Sequence, residues 1–226
     1  MVNSALNVER FGSELTSALS VTLAGALDAG SLARAVTECA AAADLVCRER
    51  PIACSSGCPH CCVLNVTVLL PEAMIIADWL RERLPQPELD AVQGRISDHC
   101  RRVRWMEDDE RITKQIFCPL LDTHGNCTIH AVRPLVCRAV ASLDRTSCLE
   151  AFDPIITDEQ RLVSADLLRQ AVFDEAFMAL ASSFSHRGLD DRSIELGRGV
   201  LAFLERPELR ERLLSGERLP ADLWQN

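Results

Sequence analysis

Tyrosine is absent from the 226 residues, and phenylalanine and tryptophan bring the aromatic share to only 4%. That leaves few platforms on which single-stranded bases could stack. Positive charge is also short. Lysine and arginine number 24 against 33 aspartates and glutamates, for a formal net charge of −9 and a pI near 5.1. Such a balance argues against a nucleic-acid groove or an anionic membrane surface as partner. Long apolar runs are missing too. The stretch from Ala18 to Leu27 is broken by Ser20 and Thr22, and Glu9 and Glu14 stand where a secretion signal is basic. We therefore expect neither a signal peptide nor a membrane span, and a cytoplasmic protein. A glycine-rich phosphate loop, an HExxH pair and a Ser-His-Asp set are missing as well, so those kinds of catalysis have no residues to carry them.

What is present is ordinary globular composition, 48% hydrophobic and 25% charged, in a chain long enough for one domain with a sizeable core. The dominant period is helical. Ser31 is a candidate cap for SLARAVTECAAAADLVCRER, and Pro71 reads as the first helical residue of PEAMIIADWLRERL. A further helix runs from about Pro87 through RRVRW. Thr157 and Gln160 form a capping-box pattern before an amphipathic stretch ending near Phe184. Two more helices are predicted, from Asp191 to Leu204 and in PELRERLL. The expected class is all-α: a single helical domain over 1–226, with an irregular cysteine-rich metal-binding region at about 54–148. Helices at 7–50 and 157–214 flank that region.

Cysteine is the exception to the sparseness. There are eleven, an odd number, and in a reducing compartment they point to metal before disulfides. Cys54, Cys58, Cys61 and Cys62 fall within the nine residues CSSGCPHCC. Gly57 and Pro59 speak against one continuous helix through them. The spacing predicts Cys58 as N-cap and Pro59 as the first helical residue, with Cys61 and Cys62 in a first turn whose dipole favours thiolates. Gathered thiolates repel one another, so a cation is the simplest way to hold them. Cys54, Cys58 and Cys61 also have the three-cysteine spacing of radical S-adenosylmethionine enzymes. His60 stands where those enzymes usually have an aromatic, Cys62 is foreign to their pattern, and the helical text lacks their βα barrel; membership is rejected. Cys39, Cys47 and Cys100, scattered on predicted helices, read as small buried hydrophobes.

A second group of four, Cys118, Cys127, Cys137 and Cys148, lies in CPLLDTHGNCTIHAVRPLVCRAVASLDRTSC. DTHGN is a turn signal between short apolar runs, and Arg133 before Pro134 favours extended backbone, so an irregular segment with a short hairpin is expected. CSSGCPHCC followed by CPLL…NCTIHAVRPLVCR resembles the YkgJ-type cysteine-cluster family, described as zinc- or iron-chelating. The resemblance covers about Cys54 to Cys148 and includes a helix opening with Glu72 and Ala73. It implies that all eight of these cysteines ligate metal. His130 stands where the family tends to have tyrosine, as an aromatic packer or a nitrogen ligand; His60 is similarly ambiguous. Arg133 and Arg138, in the RP and CR of the motif, would offset the excess negative charge of a thiolate site.

Soft thiolates suit zinc and an iron–sulfur cluster alike. Successive side chains normally diverge, so Cys61 and Cys62 favour two centres or one extended cluster over a single tetrahedral ion. Three functions from different classes follow: a metal or redox sensor or structural chelate; an iron–sulfur-dependent protein lysine methyltransferase, suggested by a resemblance of the cysteine block to flagellin lysine methylases; and a helical interaction module stapled by metal.

Overall fold

The computed structural model describes residues 7–155 and 162–224. Helix α1 (Val8–Thr22) begins at Asn7, whose side chain accepts from the Arg10 N–H. Helix α2 (Ala29–Cys47) starts two residues before Ser31. Asp28 is the cap: its Oδ1 accepts from the Ser31 N–H at 2.6 Å, and the Ser31 hydroxyl accepts from the Asp28 N–H at 2.9 Å. Strand β1 (Thr67–Leu69) runs straight into α3 (Leu70–Arg83), where Pro71 is the second residue rather than the first. Helix α4 (Gln86–Val103) follows, with Pro87 in its first turn, and ends before the Trp105 that the basic patch contains.

Helices α5 (Asp108–Thr113), α6 (Leu135–Ala139) and α7 (Arg145–Ala151) are short. Helix α8 (Leu167–His186) is the longest, capped by Asp166. The Thr157–Gln160 capping box lies outside the described residues, and the helix begins later than that pattern suggests. The reason is non-local: the Leu143 N–H donates to the Ser164 carbonyl at 2.7 Å, and Ser142 bridges Ala165, so the chain arrives extended. Strand β2 (Ser193–Glu195) pairs antiparallel with β1, Val68 facing Ile194. It takes the first residues of the helix expected from Asp191, and α9 (Leu196–Glu205) starts after it. Helix α10 (Glu208–Leu214) follows Pro207.

Helices α1, α2 and α6 pack on α8, while α3 and α4 pack on α9; α2 against α3 joins the two groups. Gly199 permits the α9–α3 approach, because a Cβ there would stand 2.6 Å from Ile194 Cγ2 and 2.9 Å from the Ala73 Cβ. One continuous core results, with Leu19, Leu32, Ile76, Phe173, Leu180 and Phe184 fully enclosed. Among the described residues the protein is all-α apart from the two three-residue strands. No helix among the described residues is long and apolar enough to cross a membrane. Although α3 and α4 lie between the two cysteine blocks in sequence, they belong to this core. Among the described residues, the longest stretches dominated by turns and short helices are about 51–66 and 104–155, and they meet.

Candidate metal centre

The first block is a chain of turns, not a helix. Gly57 adopts φ +77°, and the Cys58 N–H donates to the Ser55 carbonyl at 3.2 Å. Pro59 then caps a single 3-10 turn, His60–Val63, so both cap and helix start sit one residue later than expected. One such turn has no extended dipole to lower thiol pKa values. Cys61 and Cys62 also respond oppositely to their surroundings. The Cys61 sulfur accepts a hydrogen bond from the Cys62 thiol, which lowers Cys61 to about 7 against its burial; the same bond, with burial, drives Cys62 upward. The side chains of the doublet therefore touch rather than diverge.

The second block closes over the first. DTHGN forms the expected hairpin: Asp122 Oδ1 accepts from the N–H groups of His124 and Asn126 at 2.8 Å, and Leu121 bridges Cys127. Its Gly125, at φ +78°, lies so close to the first block that a Cβ would approach the Gly57 carbonyl to 3.1 Å. The Ser56 hydroxyl donates to Asn126 Oδ1 at 2.8 Å. The Cys118 N–H donates to the Cys62 carbonyl at 2.7 Å, and the Ala53 N–H to the Ser142 carbonyl at 2.8 Å. Backbone pairing thus joins three separate pieces of chain.

The eight thiols become neighbours in consequence. Cys62 feels the charge of Cys61, Cys118 and Cys137; Cys137 that of Cys118, Cys127 and Cys61; Cys148 that of Cys61, Cys58 and Cys54. All are free thiols. Burial raises Cys118 to about 12 and Cys148 to about 11, and shifts Cys127 and Cys137 the same way. A cation reverses this by displacing the protons, so its uptake is accompanied by proton release. Among the described residues no three His, Cys, Asp or Glu side chains are arranged to hold an ion as they stand. Sulfur ligation therefore requires side-chain rotation.

Three further features fit a metal–thiolate group. Cys118 Sγ accepts from the Leu120 N–H and Cys127 Sγ from the Ile129 N–H, donors that stabilise a sulfur anion. The Arg133 side chain lies beside Cys61, Cys127 and Cys137 and lowers all three. Its Nε is buried without a hydrogen-bond partner, while its Nη2 donates to the Cys137 carbonyl. An orphaned guanidinium N–H beside several sulfurs suits a site whose full negative charge arrives with the metal.

Arg138 behaves differently from Arg133. Its Nη1 bonds Asp44 of α2 at 2.7 Å and its Nε bonds the Arg133 carbonyl, so it clamps the block to the helical body. His130 is exposed, which excludes the buried aromatic packer that its tyrosine-like position suggests; His60 is half-buried in the turn that carries the doublet. Cys39 and Cys47 line the core, where burial lifts Cys39 to about 12; Cys100 sits on α4, its sulfur 4.0 Å from Glu195 Oε2.

Two positioning groups escape sequence reading. Glu72 is fully enclosed, and its carboxylate accepts from the Leu69 N–H and the Leu135 N–H, both at 3.0 Å; this fixes α6 and with it Cys137. Its only signal in the sequence is the Glu-Ala helix opening. Asp44 holds Arg138 and Arg169 together, with no local signal at all.

No curated protein and no solved structure matches the chain. One family model does: CxxCxxCC, described as "Putative zinc- or iron-chelating domain", matches residues 53–155. These are the residues in which the two cysteine blocks close on one another.

Proposed function

We propose that this chain holds zinc or an iron–sulfur cluster through Cys54, Cys58, Cys61, Cys62, Cys118, Cys127, Cys137 and Cys148. Bound metal organises the irregular segments against the helical body and makes the fold responsive to metal supply or redox state in a reducing, cytoplasmic setting. The observation that supports this most is convergence. Eight free thiols from separate stretches of chain neighbour one another, with backbone N–H donors at two sulfurs and the orphaned Arg133 Nε beside the group. Full thiolate ligation leaves no open position on zinc, so a zinc form is structural rather than hydrolytic.

Anaerobic purification with elemental analysis and a visible spectrum tests the reading. Colourless protein with zinc, or brown protein with iron and acid-labile sulfide, supports it and identifies the metal. Protein free of both metals, whose thiols are all open to alkylation when native, refutes it.

A further inference from the structure

We infer that the protein carries a second ligand site, in a cleft between the end of α4, α5 and the start of α9, which binds a small organic carboxylate. Arg111 and Arg198 hold the charged group, and Met106, Ile194 and Trp224 receive an apolar or aromatic body. None of the eight thiols of the chelate lines this cleft, so the site stands apart from the metal reading.

The cleft has a volume of about 340 Å³, which suits a small molecule. Arg111 supplies the main argument. It is only 4% exposed, yet its one side-chain hydrogen bond runs from Nε to the Met106 carbonyl at 3.4 Å. Among the described residues neither of its Nη groups has an acceptor, and no carboxylate lies within ion-pair distance. A charge withdrawn from water without a counter-ion is costly, so such a guanidinium calls for an anion. Arg198, half-buried on the same cleft, likewise makes no side-chain hydrogen bond or ion pair among the described residues. Two such guanidiniums offer the forked N–H donors that a carboxylate accepts.

The other lining residues narrow the ligand. Glu195 caps α9, its Oε2 accepting from the Arg198 N–H at 2.8 Å, and the exposed Glu107 also lines the cleft. These two carboxylates oppose a doubly charged phosphate, so a single negative charge fits best. Val103, Met106 and Ile194 provide apolar wall. Trp224 is pinned, its Nε1 donating to the Ser193 carbonyl at 2.8 Å and the Arg192 guanidinium lying 3.9 Å over its ring. A pinned indole is a preformed wall, and little side-chain entropy is lost on binding against it. Trp105, 81% exposed on the same cleft, offers a second ring that a bound aromatic body would shield.

Fluorine NMR of the native chain tests the site. The probe is para-fluorophenylacetate, with para-fluorophenethyl alcohol as its neutral counterpart and inorganic phosphate as competitor. The acid should bind saturably and about tenfold or more tightly than the alcohol, because the charged hydrogen bonds are lost in the latter. Phosphate should displace it far less well than unlabelled phenylacetate does. Arg198→Gln should weaken binding of the acid about tenfold while leaving the alcohol unaffected. Arg111→Lys should weaken it as well, since an ammonium lacks the guanidinium fork. Equal affinity for acid and alcohol, displacement by phosphate as effective as by phenylacetate, unchanged affinity in Arg198→Gln, or no saturable binding of the acid overturns the assignment. The side chain of Arg198 bonds nothing else among the described residues, so its replacement keeps the test decisive if the Arg111 variant misfolds.

Discussion

The helical body and the cysteine region solve the same problem by different means. In the body, long helices bury contiguous apolar faces: Phe173, Leu180 and Phe184 are fully buried on α8, which packs against α1, α2 and α6. In the cysteine region no described helix exceeds seven residues, and the separate apolar cluster has four buried members. Turns, carbonyl pairings and capped single helical turns make up most of its order. The region also lends Leu120, Ile129, Leu135 and Ala139 to the main core, but hydrophobic burial scales with area, and a cross-link adds order where neither cluster reaches. Metal–thiolate bonds are a cross-link that soft, convergent sulfurs can form.

The largest expected effect follows from removing that cross-link. Structural zinc contributes about 10 kcal/mol or more in small domains. Stripping the metal should therefore abolish amide-exchange protection at 53–66, 116–134 and 140–151 while α1, α2, α6 and α8 remain protected, as read by hydrogen exchange of holo and apo protein. Loss of protection in both regions together would mean that the body depends on the metal as well.

A core deletion should do the reverse. Phe173→Ala removes a buried ring from α8 and should cost about 3–5 kcal/mol of global stability in denaturant unfolding, without changing metal stoichiometry in the protein that remains folded. Smallest is a pH effect at the seam. Asp166 caps α8, and Arg50 bonds its carboxylate at 2.6 and 2.8 Å, which holds the carboxyl below its ordinary 3.8. A depressed folded value means that the contribution is complete above that pH and is lost as pH falls through the lower, folded value. Asp166→Asn should cost about 1 kcal/mol at neutral pH and flatten the stability curve below pH about 4.

The two regions were legible in the sequence to different degrees. Proline and acidic residues in first turns marked α3, α4 and α10 to within a residue or two. The starts of α8 and α9 were missed because partners distant in sequence hold the preceding residues extended: 141–144 for one and β1 for the other. Three-residue strands carry no readable period. The eight cysteines were conspicuous by density and by their resemblance to a chelating family. Their local geometry was not, since Pro59 starts a 3-10 turn rather than a helix and brings Cys61 and Cys62 into contact. Glu72 and Asp44 act on residues remote in sequence, which no window on one helix can reveal.

Glu72 has a consequence for the order of assembly. Its carboxylate, closed inside the core, ties the start of α3 to the start of α6. The backbone that carries Cys137 is thus in place before any ion arrives. Cys54, exposed on a strand-free stretch, enjoys no such anchor. An incoming metal thus meets Cys137 on anchored backbone and has to order the chain around Cys54. The entropy cost of ligation therefore falls mainly on the Cys54 end of the site.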